Sequence, residues 1–312
     1  MTRRAWLIAP LVCSAALLGA ADSPHTLKAA RWTAPDRVDA VLSTEPGQCL
    51  VAANDPAMAE SIAIGAAAFR APLLLGGQAA RSGLSCNSCH RGGHDNPGFT
   101  YPGLSDAPGT ADVTSSLFSS HRGDFIFNPV RIPNLSGPKA LLKIDQSPTA
   151  GLLRPFLRGL IVEEFNGPEP SQRILTGLAD YVSALSPAAC QPATRLDLAS
   201  ALARVDAALT LAERSAAGGD GATARLLLSA ARSEMELIDE RFAAAGMIRS
   251  VAPLRRASLG LGVIERAVVH DPTGTVARLN RWRKSQAKWR NPLLAAQDRS
   301  FYNPVVLHAQ LM

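Results

Sequence analysis

Aromatic residues are scarce in this chain, at 5% of 312 residues with 4 Trp, 3 Tyr and 9 Phe. Charge is also sparse at 19%, while 47% of residues are hydrophobic, a balance that excludes a disordered chain or a solvated tail. Its 24 Gly and 22 Pro follow no collagen-like period, and no repeat of solenoid length occurs. Beyond the first residues there is no apolar run of the roughly 20 residues that cross a bilayer, which excludes a multi-span membrane protein. What is left is a chain able to bury one or two ordinary cores. A net charge of +6 and a pI near 9.4 suit an anionic partner without identifying one.

The one apolar run lies at the start. Arg3 and Arg4 form a positive n-region, Ala5 to Leu18 is apolar apart from Pro10 and Ser14, and Gly19-Ala20-Ala21 offers small residues for cleavage. The pattern predicts a signal peptide over residues 1–21 and a soluble, exported (periplasmic) mature protein. An uncleaved membrane anchor is the alternative, for which the run is short. Pro10-Leu11-Val12 lacks the small residues that lipoprotein cleavage before Cys13 requires.

Cysteine is rare as well: 5 in all, so that losing Cys13 with the signal leaves Cys49, Cys86, Cys89 and Cys190. The middle pair stands in Cys86-Asn87-Ser88-Cys89-His90, the attachment pattern of c-type haem. That chemistry needs this spacing because two thiols add to the two vinyl groups of one porphyrin while the next histidine turns back to ligate iron. A CxxC redox pair and half of a zinc site are the alternatives, but no second Cys or His pair lies at zinc spacing. Cys49 and Cys190 flank the region, and in an exported protein they are expected to close a disulfide clasping its two ends. Unpaired thiols or an intermolecular bridge are the other outcomes.

The pattern predicts an all-α chain: an extended lead-in over 22–48, a mono-haem domain over 49–192 and a helical bundle over 193–312. Asp55-Pro56 marks a helix start, and the helix runs to about Phe69 with Ile62, Ala66 and Phe69 on one face. Residues 91–150 are rich in Gly, Pro, Ser, Asp and Asn and read as long loops, suited to wrapping a cofactor. Helices are expected again at 150–165 and at 171–185, where Ile174, Leu178, Tyr181, Val182 and Leu185 form a stripe. Leu198, Leu202, Val205, Leu209 and Ala212, then Leu228, Ala231, Met235, Ile238 and Phe242, predict an antiparallel helix pair around Gly218-Gly219-Asp220-Gly221. Helices around 253–270 and 273–290 would cover its open faces.

Gly65-Ala66-Ala67-Ala68-Phe69, Arg81-Ser82-Gly83-Leu84-Ser85 and Cys86 to His90 together resemble the haem-entry segment of the bacterial di-haem cytochrome c peroxidases and their MauG relatives. Asn128-Pro129-Val130-Arg131-Ile132-Pro133-Asn134-Leu135 is similar to that family's Arg-Val-Pro-Thr-Leu segment, and Ala179-Asp180-Tyr181-Val182 resembles its closing helix. The resemblance covers about residues 55–187 and implies a cytochrome c fold there. Two departures limit it. Family enzymes carry two haems, whereas this chain has a single CxxCH, and Gly137-Pro138-Lys139-Ala140-Leu141-Leu142 has no counterpart of the family's Phe-His-Asp-Gly segment. Peroxidase activity is therefore not carried over, and single-electron transfer to or from a redox partner is the expected function. A peroxidase-like enzyme or sensor with an open iron site is the alternative.

The sixth iron ligand decides between those readings. Met58, His94 and His121 are the candidates within the haem region. His94 follows the proximal histidine too closely to reach the opposite face, Met58 is expected to pack in the core, and His121 sits on a loop long enough to fold over. Of the three, His121 is the candidate distal ligand, with a surface histidine near Asp124 or an empty site as the other outcomes. Glu163, Glu164 and Asp124 are candidate proton donors, against a solvated role. In the bundle, Arg278, Arg281, Arg283, Lys284, Lys288 and Arg290 interleave with Trp282 and Trp289. For an exported protein this suits an acidic redox partner or an anionic membrane surface rather than nucleic acid, or else a solvated helix face with the Trp packed inward.

Overall fold

The computed structural model describes residues 27–115, 117–139, 142–147 and 151–311. The expected signal peptide lies outside them. The chain is mostly helical, with only dipeptide strands and no barrel among the described residues, as expected of an all-α reading. In order run α1 (Val38–Ser43), α2 (Pro56–Phe69), α3 (Pro72–Leu75), α4 (Gly77–Arg81), α5 (Cys86–Cys89), α6 (Leu153–Gly159) and α7 (Gln172–Ala184). The second half adds α8 (Leu198–Ala217), α9 (Gly221–Arg241), α10 (Ile248–Ala267), α11 (Pro272–Arg283), α12 (Ala287–Ala296) and α13 (Pro304–Leu311). No helix among the described residues is long and apolar enough to cross a membrane.

Capping explains most starts. Asp55 accepts the Met58 N–H ahead of Pro56, Ser171 that of Ile174, Asp197 that of Ser200, Asp220 that of Thr223 and Asp271 that of Gly274. α2 and α7 then cross at their glycines: a Cβ on Gly65 would fall 1.9 Å from the Gly177 carbonyl oxygen. This approach brings Phe69 and Tyr181 to a ring separation of 5.1 Å.

One apolar core runs from Ile64, Phe69 and Leu178 through Leu202 and Leu227 to Leu261 and Trp289, without a break at residue 193. Polar links follow the same seam. Ser171 and Thr223 hydroxyls lie 2.8 Å apart, so the caps of α7 and α9 touch, and Glu60 of α2 accepts from both Arg173 and Arg214. Two ends of the N-terminal half are also laid together. β1 (Thr44–Glu45) pairs antiparallel with β4 (Thr194–Arg195), and Val51 and Ser186 exchange backbone bonds with Ala184 and Cys49. β2 (Thr110–Ala111) and β3 (Val130–Arg131) tie the long loops.

Several expectations are corrected. The lead-in is not extended throughout: Leu27, Ala30, Val38 and Leu42 are buried and pack against Phe301 and Leu307 near the C-terminus. The helix expected over 150–165 passes from α6 into a π-turn, Leu160–Glu164. α10 begins at Ile248, with Pro253 inside it, so this proline does not mark the start. The helix expected over 273–290 is two helices, because the Ser285 hydroxyl donates back to the Trp282 carbonyl and ends α11. Trp282 and Trp289 nonetheless stay 6.2 Å apart, and Trp289 is 1% exposed.

Two measurements check this packing. Gly65→Ala, which helix propensity alone would favour by about 1 kcal/mol, is expected instead to destabilise by about 2 kcal/mol in denaturant titration, from overpacking at the crossing. Burial pushes the Glu240 carboxyl up from 4.5 to about 7, against the Ala29 N–H, Arg241 and Lys28. Between those values the native state holds a proton that the unfolded chain has released, so stability falls as pH rises through this window. Glu240→Gln should therefore gain thermal stability over the native chain at pH 8 and gain none near pH 4.5.

Candidate haem-attachment site

α5 is a single turn, which places Cys86 and Cys89, three residues apart, on one side of it. Ser85 and Ser88 cap it reciprocally, the Ser85 N–H donating to Ser88 Oγ at 3.0 Å. After His90 the chain reverses through Gly92 and Gly93 at φ of +64° and +87°, a conformation glycine adopts without strain. The Asn87 side chain accepts the Gly92 N–H and Asn96 donates to the Ser88 carbonyl, so both ends of the motif are held.

His90 Nδ1 lies 3.0 Å from the Pro133 carbonyl oxygen. A carbonyl only accepts, so Nδ1 carries the proton and Nε2 keeps a free lone pair. Burial draws the His90 pKa down to about 4, against the Pro133 bond and Asp95, and the ring is neutral at physiological pH. Burial also pushes both thiols, Cys86 and Cys89, up to about 12. Protonated thiols do not suit a thiolate-based redox pair, which needs a depressed pKa.

The surroundings are apolar. Cys86 packs against two separate core clusters, one containing Phe69, Leu74, Ile161 and Tyr181 and the other Leu75, Phe99, Phe118 and Ile132. Cys89 touches the second, and the Phe69 and His90 rings are 6.4 Å apart. Two thiols, a neutral imidazole with Nε2 free and apolar walls fit a covalently held c-type haem.

Cys49 and Cys190 form the expected disulfide. Among the described residues the one grouping of three metal-type donors is Cys49, His94 and Cys190, and its two sulfurs are bonded to each other. His94 is spoken for on both nitrogens: Nε2 lies 3.0 Å from the Gly47 carbonyl oxygen and 3.3 Å from Cys49 Sγ, and Nδ1 lies 3.2 Å from Ser136 Oγ. It braces the disulfide. His121 is exposed on a loop whose N–H groups at His121 and Arg122 donate to Ser119 Oγ. Met58, expected in the core, is 40% exposed on the outer side of α2.

The acid candidates separate. Asp124 is exposed and accepts the Ile126 N–H, and Glu163 is ion-paired with Arg122 at the surface. Glu164, on the π-turn, is 4% exposed, and its Oε1 accepts from Arg122 at 2.9 Å while Oε2 is buried without a hydrogen-bond partner. Burial raises its pKa in spite of Arg122. In the basic segment, Arg278, Arg283 and Arg290 pair with Asp271, Glu213 and Asp206, leaving Arg281, Lys284 and Lys288 as its exposed cations.

The Pro133 carbonyl and the bracing role of His94 were not legible in the sequence. Only the position of Pro133 within Arg131-Ile132-Pro133-Asn134-Leu135 hints at the first, and nothing local signals the second. Cys190→Ser is expected to cost roughly 4–5 kcal/mol, because the bridge closes a loop of 141 residues. Denaturant titration with and without reductant checks this, the native chain losing the same increment on reduction.

Compared with family models, with curated proteins and with solved structures, the chain matches none.

Proposed function

We propose that the chain is an exported c-type cytochrome with one covalent haem, passing single electrons to or from a redox partner. The observation that carries this reading is the contact of His90 Nδ1 with the Pro133 carbonyl oxygen at 3.0 Å, at the end of the Cys86–Cys89 turn. Cys86 and Cys89 hold the group, and His90 Nε2 is the proximal iron ligand. The Pro133 bond fixes the ring's orientation and raises its basicity. Haem c bound there supplies a one-electron iron couple in an apolar setting. The proposal extends to a cytochrome c fold for residues 49–192 of the kind that the peroxidase and MauG resemblance implies, and to a periplasmic location. Arg281, Lys284 and Lys288 are the charges that would steer an acidic partner or meet an anionic membrane surface. His121 is the candidate sixth ligand, and its exposed loop would have to fold inward to serve.

A second reading, a peroxidase-like enzyme or sensor with an open iron site, is favoured by one feature. Glu164 is a buried carboxyl with an unpartnered oxygen and a raised pKa, able to hold a proton where a solvated carboxylate cannot.

The test is the absorption spectrum of protein matured with haem in an exporting host, reduced, with and without carbon monoxide. Covalent haem that is lost on Cys86→Ala with Cys89→Ala is the expected result, and matured protein free of haem overturns both readings. A low-spin spectrum indifferent to carbon monoxide, altered by His121→Gly, supports electron transfer with His121 as ligand. Ready carbon monoxide binding, with peroxide turnover reduced about tenfold or more in Glu164→Gln, supports the second reading.

A further inference from the structure

A cavity of about 170 Å3 lies between the haem-side half and the helical bundle. At roughly 30 Å3 per water that space matches about five or six waters, room for a small anion, and the cavity is partly open to solvent. Arg70 and Arg91 line it from one half, Arg204 and Arg241 from the other, and Glu45 and Glu234 are its carboxylates. Four guanidiniums against two lining carboxylates leave the wall with an excess of two positive charges. Lys28 at the wall is engaged by Glu236.

The pairing shows where the excess sits. Arg70 bonds Glu45 and approaches Glu234 at 3.9 Å, and Arg204 Nε donates to Glu234 at 2.8 Å. Arg91 and Arg241 have no carboxylate within ion-pair distance among the described residues. Arg91 donates to the Val41 and Thr44 carbonyls, and Arg241, buried, to the Leu42 carbonyl at 2.7 Å. These carbonyls satisfy hydrogen bonds at the end of α1 but carry no formal charge. Burial lowers the Arg91 pKa, and although Glu45 opposes this, the like charges of Arg70 and Arg241 add to it. Burial also lowers Arg241, against Tyr302, Glu240 and Glu45, with Arg204 adding to the lowering. Crowded guanidiniums at a partly buried seam are costly unless an anion joins them.

We propose that this cavity binds a small dianion of the phosphate, sulfate or short dicarboxylate class, held by Arg91, Arg241, Arg70 and Arg204 across the seam between the two halves. Planar guanidiniums suit such oxygens because they donate in pairs. Asn87, Ser88, Asn96 and Ser233 on the wall offer further donors. The site is separate from haem attachment: Ser85, Asn87, Ser88 and Arg91 line the cavity, while Cys86, Cys89 and His90 do not. An anion here would clamp the lead-in, the motif turn and α8 and α9 together.

Isothermal titration of the full matured protein with inorganic phosphate, sulfate or succinate, near neutral pH and at fixed ionic strength, tests this. Saturable one-site binding is expected for at least one of them, with a matching rise in Tm. Stronger binding of phosphate or sulfate than succinate identifies an inorganic oxyanion site, and the reverse a carboxylic ligand. Arg204→Gln should weaken binding about tenfold, the worth of one charge-assisted hydrogen bond, and Glu45→Gln should strengthen it. If Glu45→Gln fails to fold, the native chain against Arg204→Gln decides. No saturable binding of any of the three anions by the native chain overturns the proposal, as does binding that Arg204→Gln leaves unchanged.

Discussion

The close crossing of α2 and α7 is the constraint on which the other parts of the structure rest. Two glycines, Gly65 and Gly177, let the helix backbones touch, and everything stacked on the pair inherits that spacing. Phe69 leaves the end of α2 facing Tyr181 and stands beside His90, so the wall of the motif turn is set by the crossing. On the other side the same two helices present Ile64, Ala68, Ile174 and Leu178 to the apolar core shared with α8 and α9. A side chain at the crossing would push α7 outward and open both surfaces together. The boundary near residue 193 divides the sequence by composition, but it does not divide the core.

The seam between the halves is held by charge as well as by apolar contact, and the two behave differently. Apolar contacts across it lose area in proportion to any movement, while the ion pairs of Arg70, Glu45, Arg204 and Glu234 must keep their geometry to repay desolvation. Burial alone would raise the Glu45 pKa, yet Arg70, Arg204 and Arg91 together hold its carboxyl below the usual carboxylate range. The local field is therefore positive even at the carboxylate. That makes the seam specific in register, since sliding one half by a helical turn would strand buried guanidiniums without partners.

What could be read from the sequence was whatever is encoded locally. Asp55-Pro56 announced its helix because an N-cap and its bond lie within four residues of each other. The α8–α9 pair was legible because each stripe repeats at helical spacing. Contacts between distant residues were not legible. Leu27 and Leu42 read as a polar lead-in because their cover, Phe301 and Leu307, comes from the far end of the chain. His94 looked like a loop histidine because Gly47, Cys49 and Ser136, which take up its ring, are scattered over about 90 positions. The break at Ser285 was missed because serine is tolerated in helices until its hydroxyl finds a carbonyl to bond.

Cys86 joins these two kinds of information. Among Cys86, Cys89 and His90 it is the one that packs against both the large core to which α2 and α7 contribute and the loop core built on Phe99, Phe118 and Ile132. The loop core is assembled from Gly- and Pro-rich chain whose ordering costs backbone entropy. On the reading proposed for the site, a large flat apolar group bonded to Cys86 and Cys89 would lie against both clusters and add the area that the loops lack. Attachment and folding are then coupled, because the group is tied to the turn where the two cores meet rather than inserted into a finished pocket.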